Sequence, residues 1–233
     1  MTILAGVDGC AAGWVVVTQN TGSGQLTWQV VESIAEYLAG NPTPAVMAID
    51  VPIGLPESGP RACDQATRAR LGPRRSSVFP APIRAVLAAR SQQEASVIGR
   101  GVDGRGISCQ CWNIMPKIRE IDDLLRQRPD LQAHIREVHP ELSFCALSGR
   151  PLSHPKRTRA GSEERLALVE TVYAQETIRS AISDCRPRGA KADDVLDALA
   201  ALWSAGRASR GEAEALPPLA EKDRRGLCMQ ILA

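Results

Sequence analysis

Two short apolar runs in this chain each lead into an aspartate, and that limits the possible fold more than any other feature. Ala45-Val46-Met47-Ala48-Ile49 runs into Asp50, and Ile3-Leu4-Ala5-Gly6-Val7 runs into Asp8. Runs of this length and character read as strands covered on both faces. A bare carboxylate there costs several kcal/mol or more unless it is paired or binds a metal. A third acidic stretch comes late, in Ala192-Asp193-Asp194-Val195-Leu196-Asp197-Ala198-Leu199. On a helix, Asp194 and Asp197 share a face, as do Asp193 and Asp197. Asp193 and Asp194 can instead serve the helix N-terminus through the macrodipole, with Asp197 facing water. Against that, residues 192–206 contain no Lys or Arg, which a solvated face in this chain would normally carry.

Three acidic sites far apart in sequence suggest one shared site for Mg²⁺ or Mn²⁺, because hard cations take carboxylate oxygens. Two such ions, about 3.5–4 Å apart and bridged by a carboxylate, would activate water and stabilise a leaving alkoxide in phosphodiester hydrolysis.

Composition narrows the class without deciding the substrate. The 233 residues are 44% hydrophobic but only 3% aromatic, so the core is built from Leu, Val, Ile and Ala. Aromatics this scarce give no case for stacked single-stranded bases. A formal charge of +2 neither demands nor excludes a nucleic acid partner. Basic residues cluster at Arg68 to Arg75 and at Lys156 to Arg159, where a solvated surface is the plain alternative to phosphate binding. Seven cysteines, an odd number, come without a CxxC pair or a secretory leader, so a reducing, cytoplasmic setting with free thiols is expected. Cys10, in the turn after Asp8, reads as a small filler rather than a nucleophile. No apolar stretch approaches the roughly 20 residues of a membrane span.

Along the chain, strands are predicted at Ile3–Val7, Trp14–Thr18 and Leu26–Val31, with a hairpin loop at Asn20–Gly24. Ser33 and Glu36 form a capping-box pattern opening a short helix to Leu38. After the Asp50 strand, helical pieces are expected around Asp64–Leu71, Arg84–Val97 and Met115–Arg128. Ile135 to Phe144 reads as a strand interrupted at Pro140, at an edge or bulge. One helix is expected over Ser162–Ser183, another over Ala192–Ala205, and a short strand over Gly226–Leu232. This is an α/β pattern: one mixed-sheet domain over residues 1–233, with an irregular insertion at about 55–134.

Six blocks resemble domain-of-unknown-function family 429. They begin with Gly6-Val7-Asp8-Gly9-Cys10-Ala11-Ala12-Gly13-Trp14, Ala48-Ile49-Asp50-Val51-Pro52-Ile53-Gly54-Leu55-Pro56 and Arg74-Arg75-Ser76-Ser77-Val78-Phe79-Pro80. Trp112-Asn113-Ile114-Met115-Pro116-Lys117, Glu137-Val138-His139-Pro140-Glu141 and Asp193-Asp194-Val195-Leu196-Asp197-Ala198-Leu199-Ala200 complete them. The resemblance implies a nuclease of the RNase H-like fold: a mixed five-stranded sheet, flanking helices and a long insertion after the fourth strand. In that fold one Asp lies on the first strand, a second acid ends the fourth, and further acids lie on a late helix. Asp8, Asp50, Asp194 and Asp197 match those places and are the expected metal ligands and catalytic residues. The Asp-Ala-Leu-Ala run at Asp197 also resembles the end of the active site in bacterial Holliday-junction resolvases, which work as dimers, so a homodimer is one expectation. The stretch between Asp50 and Glu137 is far longer than in a minimal RNase H, and no substrate carries over from those relatives.

Glu141 joins the catalytic candidates, and Glu137 stands beside it. Two residues an even number apart on a strand face the same side, unless Pro140 breaks the register; the alternative is an edge strand whose charges discourage pairing. Arg74, Arg75 and Ser76, with Lys117, can grip substrate phosphate or simply pair with surface carboxylates. Two rivals to the nuclease remain open: a nucleic-acid-binding or scaffold protein of the same fold, and a kinase-like ATPase, for which the chain shows no second phosphate loop.

Overall fold

The computed structural model describes residues Thr2–Ala233. β1 (Ile3–Cys10) and β2 (Gly13–Asn20) pair antiparallel, with Ile3 opposite Asn20 and Cys10 opposite Gly13. The return between them needs glycine: Gly13 has φ +132°, and a Cβ there would lie 2.1 Å from the Val31 carbonyl oxygen. The loop to β3 (Leu26–Val31) is tied by Asn20 Oδ1, which accepts from the amides of Gly22 and Ser23 at 2.9 and 3.3 Å. α1 (Ile34–Gly40) starts where its capping pattern predicts, with the Glu36 amide donating to Ser33 Oγ at 3.1 Å. β4 (Val46–Ile49) then runs parallel to β1, and β5 (Ile135–Val138) parallel to β4.

The protein is α/β, with a mixed sheet and flanking helices. The sheet has seven strands, not the expected five, in the order β3-β2-β1-β4-β5-β7-β6. β7 (Cys228–Leu232) is the terminal strand predicted from sequence. β6 (Ala215–Lys222) is hidden by Pro217-Pro218. It lies at the outer end of the strand order and is largely exposed, where a missing N–H donor costs little.

Two further expectations are corrected. Residues 140–144 do not continue β5. Pro140 instead occupies the first turn of α5 (Pro140–Ser148), where its missing N–H would have been unpaired anyway. Glu137 and Glu141 therefore do not line one strand. The single helix expected over Ser162–Ser183 is two, α6 (Arg159–Glu170) and α7 (Gln175–Cys185). Between them Tyr173 turns inward, and its buried hydroxyl donates to the Leu199 carbonyl at 3.3 Å.

The chain divides into two compact units, one of Met1–Asp50, Ala133–Glu214 and Leu232–Ala233, the other of Val51–Gln132 and Ala215–Ile231. The second unit holds α2 (Ala62–Leu71), α3 (Gln92–Asp103) and α4 (Cys109–Gln127). Residues 84–88, expected to start a helix, form a 3₁₀ turn ahead of α3. The unit is organised around Asp223, whose buried carboxylate accepts from the amides of Leu55 (2.9 Å), Arg225 (2.8 Å) and Leu227 (3.0 Å). Arg84 joins that carboxylate to Asp122, which it meets at 2.8 Å.

In the first unit the organising element is α8 (Ala192–Ser209), nearly all of whose residues from Val195 to Ala205 are buried. It packs on β1, β4 and β2. Contact with β1 is backbone to backbone, because a Cβ on Gly6 would lie 2.1 Å from both the Ala198 carbonyl oxygen and the Leu202 nitrogen. Among the described residues no helix is long and apolar enough to cross a membrane.

The Gly6 contact yields a direct expectation. Gly6→Ala forces strand and helix apart and destabilises the protein by about 3 kcal/mol or more. Urea denaturation followed by circular dichroism measures it, and a midpoint equal to the wild type's would contradict the packing described.

Candidate functional site

Asp8, Asp50 and Asp197 come from three elements and meet within the first unit. Asp8 lies on β1, buried, two residues after Gly6 and therefore on the same side of the strand, toward α8. Asp50 follows the last residue of β4, and its amide donates to the Val7 carbonyl at 3.0 Å. Since Val7 is opposite Ile49 in the parallel pair, this bond carries the ladder one residue further and sets Asp50 beside Asp8. The two carboxyl groups are close enough for each to act on the other's ionisation. Asp197 reaches the pair from the second turn of α8, next to the Ala198 that touches Gly6.

Crowding three carboxyl groups in a water-poor place raises their pKa values. Burial is the main cause at Asp8, whose pKa is well above the usual carboxylate range, and the charges of Asp197 and Asp50 push it further. At Asp50 burial again raises the pKa, while His139 and Lys156 oppose the rise. Asp197 is pushed up to about 6, by burial first; Asp50 adds to the rise and Lys156 acts against it.

Lys156 is the residue that sequence reasoning did not assign to the site. It lies between α5 and α6, and its Nζ donates to Asp197 Oδ2 in a short ion pair, with Asp193 Oδ2 at 3.5 Å. Burial disfavours the ammonium, but Asp197, Asp8 and Asp193 outweigh it and raise the lysine's pKa. The loop holding Lys156 is itself fastened. Glu164 accepts from the amides of Ser153 and His154 at 2.9 and 3.0 Å, and Arg165 donates to the His154 carbonyl at 3.3 Å. At Gly161 a Cβ would sit 2.0 Å from the Pro155 carbonyl oxygen, so the loop rests directly on the first turn of α6. The signal for Lys156 was its basic cluster, and the missing basic partner of α8's acidic face comes from this loop. His139, at the end of β5, is a second unassigned residue: it acts on the Asp50 charge, and its buried Nδ1 has no hydrogen-bond partner.

The remaining sequence candidates divide. Asp194 caps α8, its Oδ2 accepting from the Lys191 amide at 2.8 Å, while its charge still raises the Asp8 pKa. Glu141 is buried and paired with Arg165 at 2.5 Å, inside the support for the Lys156 loop. Glu137 is buried on β5. Arg74, Arg75 and Ser76 lie on a 3₁₀ turn, Gly72–Ser77, and Lys117 on α4; all four belong to the second unit. All seven cysteines are free thiols.

Among the described residues no three His, Cys, Asp or Glu side chains form a ready-made metal cage. One oxygen of the cluster is nevertheless without any partner: Asp197 Oδ1, fully buried. A buried carboxylate oxygen with nothing to accept is costly, and such orphans call for a specific cause.

The family model described as "Protein of unknown function (DUF429)" matches residues 6–222. The chain belongs to this family. No curated protein and no solved structure matches it. The DUF429 match spans Asp8, Asp50, Lys156 and Asp197 together.

Raised carboxyl pKa values make the site a liability near neutral pH. A group whose folded pKa exceeds its unfolded value of about 3.9 leaves stability intact below that value and removes it as pH rises through the folded one. For Asp197 the window runs from about pH 4 to about 6. Asp8 follows the same sign. Asp8→Asn is therefore expected to melt higher than the wild type at pH 8 in EDTA, with the difference vanishing near pH 4. Differential scanning fluorimetry at both pH values reads this directly; a lower melting point at pH 8 would contradict it.

Proposed function

We propose that this DUF429 protein is a divalent-metal-dependent nuclease of RNase H-like type, hydrolysing phosphodiester bonds in DNA or RNA. The observation that carries the reading is the meeting of the buried Asp8 and Asp197 with the half-buried Asp50, one oxygen of Asp197 being unpartnered. The placement of these acids supports it: one on the first strand, one ending the fourth, one on a late helix. That is the pattern the RNase H-like resemblance implies.

The donor set fits Mg²⁺ or Mn²⁺. Hard carboxylate oxygens are what these ions take, and Asp197 Oδ1 is a buried acceptor in need of a partner. Asp8, Asp50 and Asp197 would hold the ion, with Asp194 at the margin. When bound, such an ion supplies a lowered pKa for a water nucleophile and a positive charge for the phosphoryl oxygens. The chain's own contribution is rigidity and dryness: α8 locked on β1 fixes the carboxylates, and burial strengthens every charge interaction among them. Burial and the charges of Asp197 and Asp50 hold the Asp8 pKa well above the usual carboxylate range, a perturbation typical of groups that exchange protons at functional sites.

The pairing of Asp197 with Lys156 favours one rival, a nucleic-acid-binding protein whose acids are neutralised internally and do no chemistry. Cleavage assays on DNA and RNA with Mn²⁺, run on wild type and Asp50→Asn, separate the two. The nuclease reading expects metal-dependent cleavage that falls by about a hundredfold or more in the variant while its circular dichroism spectrum is unchanged. Equal rates in the two proteins would reject the site, and nucleic acid bound without cleavage would favour the rival.

A further inference from the structure

The two oxygens of Asp197 have different fates. Oδ2 is occupied by the Lys156 ammonium, and the buried Oδ1 has no partner. A second ion at this site would compete for the same carboxylate oxygens. Asp197 already spends one oxygen on a fixed cation.

We propose that Lys156 is a built-in cation standing where a second metal ion would otherwise sit, so that the site takes a single divalent ion on the Asp197 Oδ1 side. The inference rests on the metal-site reading above and refines it.

Three observations converge. Position is the first: the ammonium contacts Asp197 and Asp193, and acts electrostatically on both Asp8 and Asp50. It therefore reaches every acid of the cluster. Charge is the second. Asp8, Asp50, Asp194 and Asp197 supply four negative charges when ionised, and the lysine cancels one of them permanently. A single divalent ion then leaves one net negative charge on those four acids, so most of the cluster's charge is met without a second ion. Attachment is the third. Lys156 is not a drifting surface side chain, because Glu164 and Arg165 fix the backbone on its N-terminal side and Gly161 lets Pro155 rest on α6. Arg165 is in turn held by the buried Glu141. Glu141 is thus a positioning residue, acting through Arg165 on the loop that places the lysine.

Lysine also suits the position chemically. Its ammonium is a compact point charge with three donors, closer to a metal ion in shape than the planar fork of arginine. Unlike an ion, it cannot be lost to a chelator.

Equilibrium dialysis with Mn²⁺, counting bound ions on the wild type, Lys156→Ala and Lys156→Arg, tests the proposal. The wild type is expected to bind one ion. Lys156→Ala is expected to bind a second ion, or to bind the first about tenfold or more tightly once the competing charge is gone. Lys156→Arg is expected to keep a stoichiometry of one. Two ions on the wild type, or Lys156→Ala binding one ion with unchanged affinity, would overturn the role of Lys156 while leaving the metal site standing. No Mn²⁺ bound by any of the three would remove the metal-site reading, and this inference with it. The wild-type count decides between one and two ions even if Lys156→Ala fails to fold.

Discussion

The first unit depends on the absence of a single side chain. Where β1 passes under α8, the helix backbone lies so near that only hydrogen fits at Gly6. This contact sets the depth at which α8 docks. Asp8 follows Gly6 by two residues and Asp197 precedes the touching Ala198 by one, so the same approach sets how closely the carboxylates face each other. Packing and electrostatics are therefore in opposition here. Burying α8 stabilises the unit through apolar area removed from water, and the same burial presses like charges together in a place where they are poorly screened. Lys156 relieves part of the conflict. The rest remains as raised carboxyl pKa values, the kind of local cost that clusters at functional sites.

Much of the architecture was legible in the sequence because its signals were local. The apolar runs ending in Asp8 and Asp50, the Asn20–Gly24 turn and the Ser33 cap each specify their element without help from distant residues. What failed did so for identifiable reasons. Pro140 reads equally as a break in a strand and as the first turn of a helix, and only tertiary context chooses. Tyr173 breaks a helix because it finds a carbonyl acceptor on α8, which no window around residue 173 contains. β6 carries two prolines and almost no buried side chains, so neither propensity nor alternation marks it.

The site shows the same division. Asp8, Asp50 and Asp197 could be picked out because an acid in an apolar run is an anomaly visible in one dimension. Lys156 could not, because a lysine in a loop with Arg157 and Arg159 looks like ordinary solvated surface. Its significance arises only once α8 lies next to that loop. Asp194 has a double part that the pattern does not show: one oxygen caps the Lys191 amide, while its charge still acts on Asp8. A pattern of like residues thus overstates how many of them do the same thing.

The second unit is not continuous in the chain. Asp223, which holds Leu55, Arg84, Arg225 and Leu227 together, lies about ninety residues beyond the end of the long segment it organises. During synthesis at roughly 5–20 residues per second, α2, α3 and α4 leave the ribosome many seconds before that carboxylate does. Throughout the interval Arg84 has only Asp122 as its acid, and the Leu55 amide has no side-chain acceptor. The unit is thus completed by a late arrival, and a newly made chain must carry an unfinished half for longer than its length alone would require.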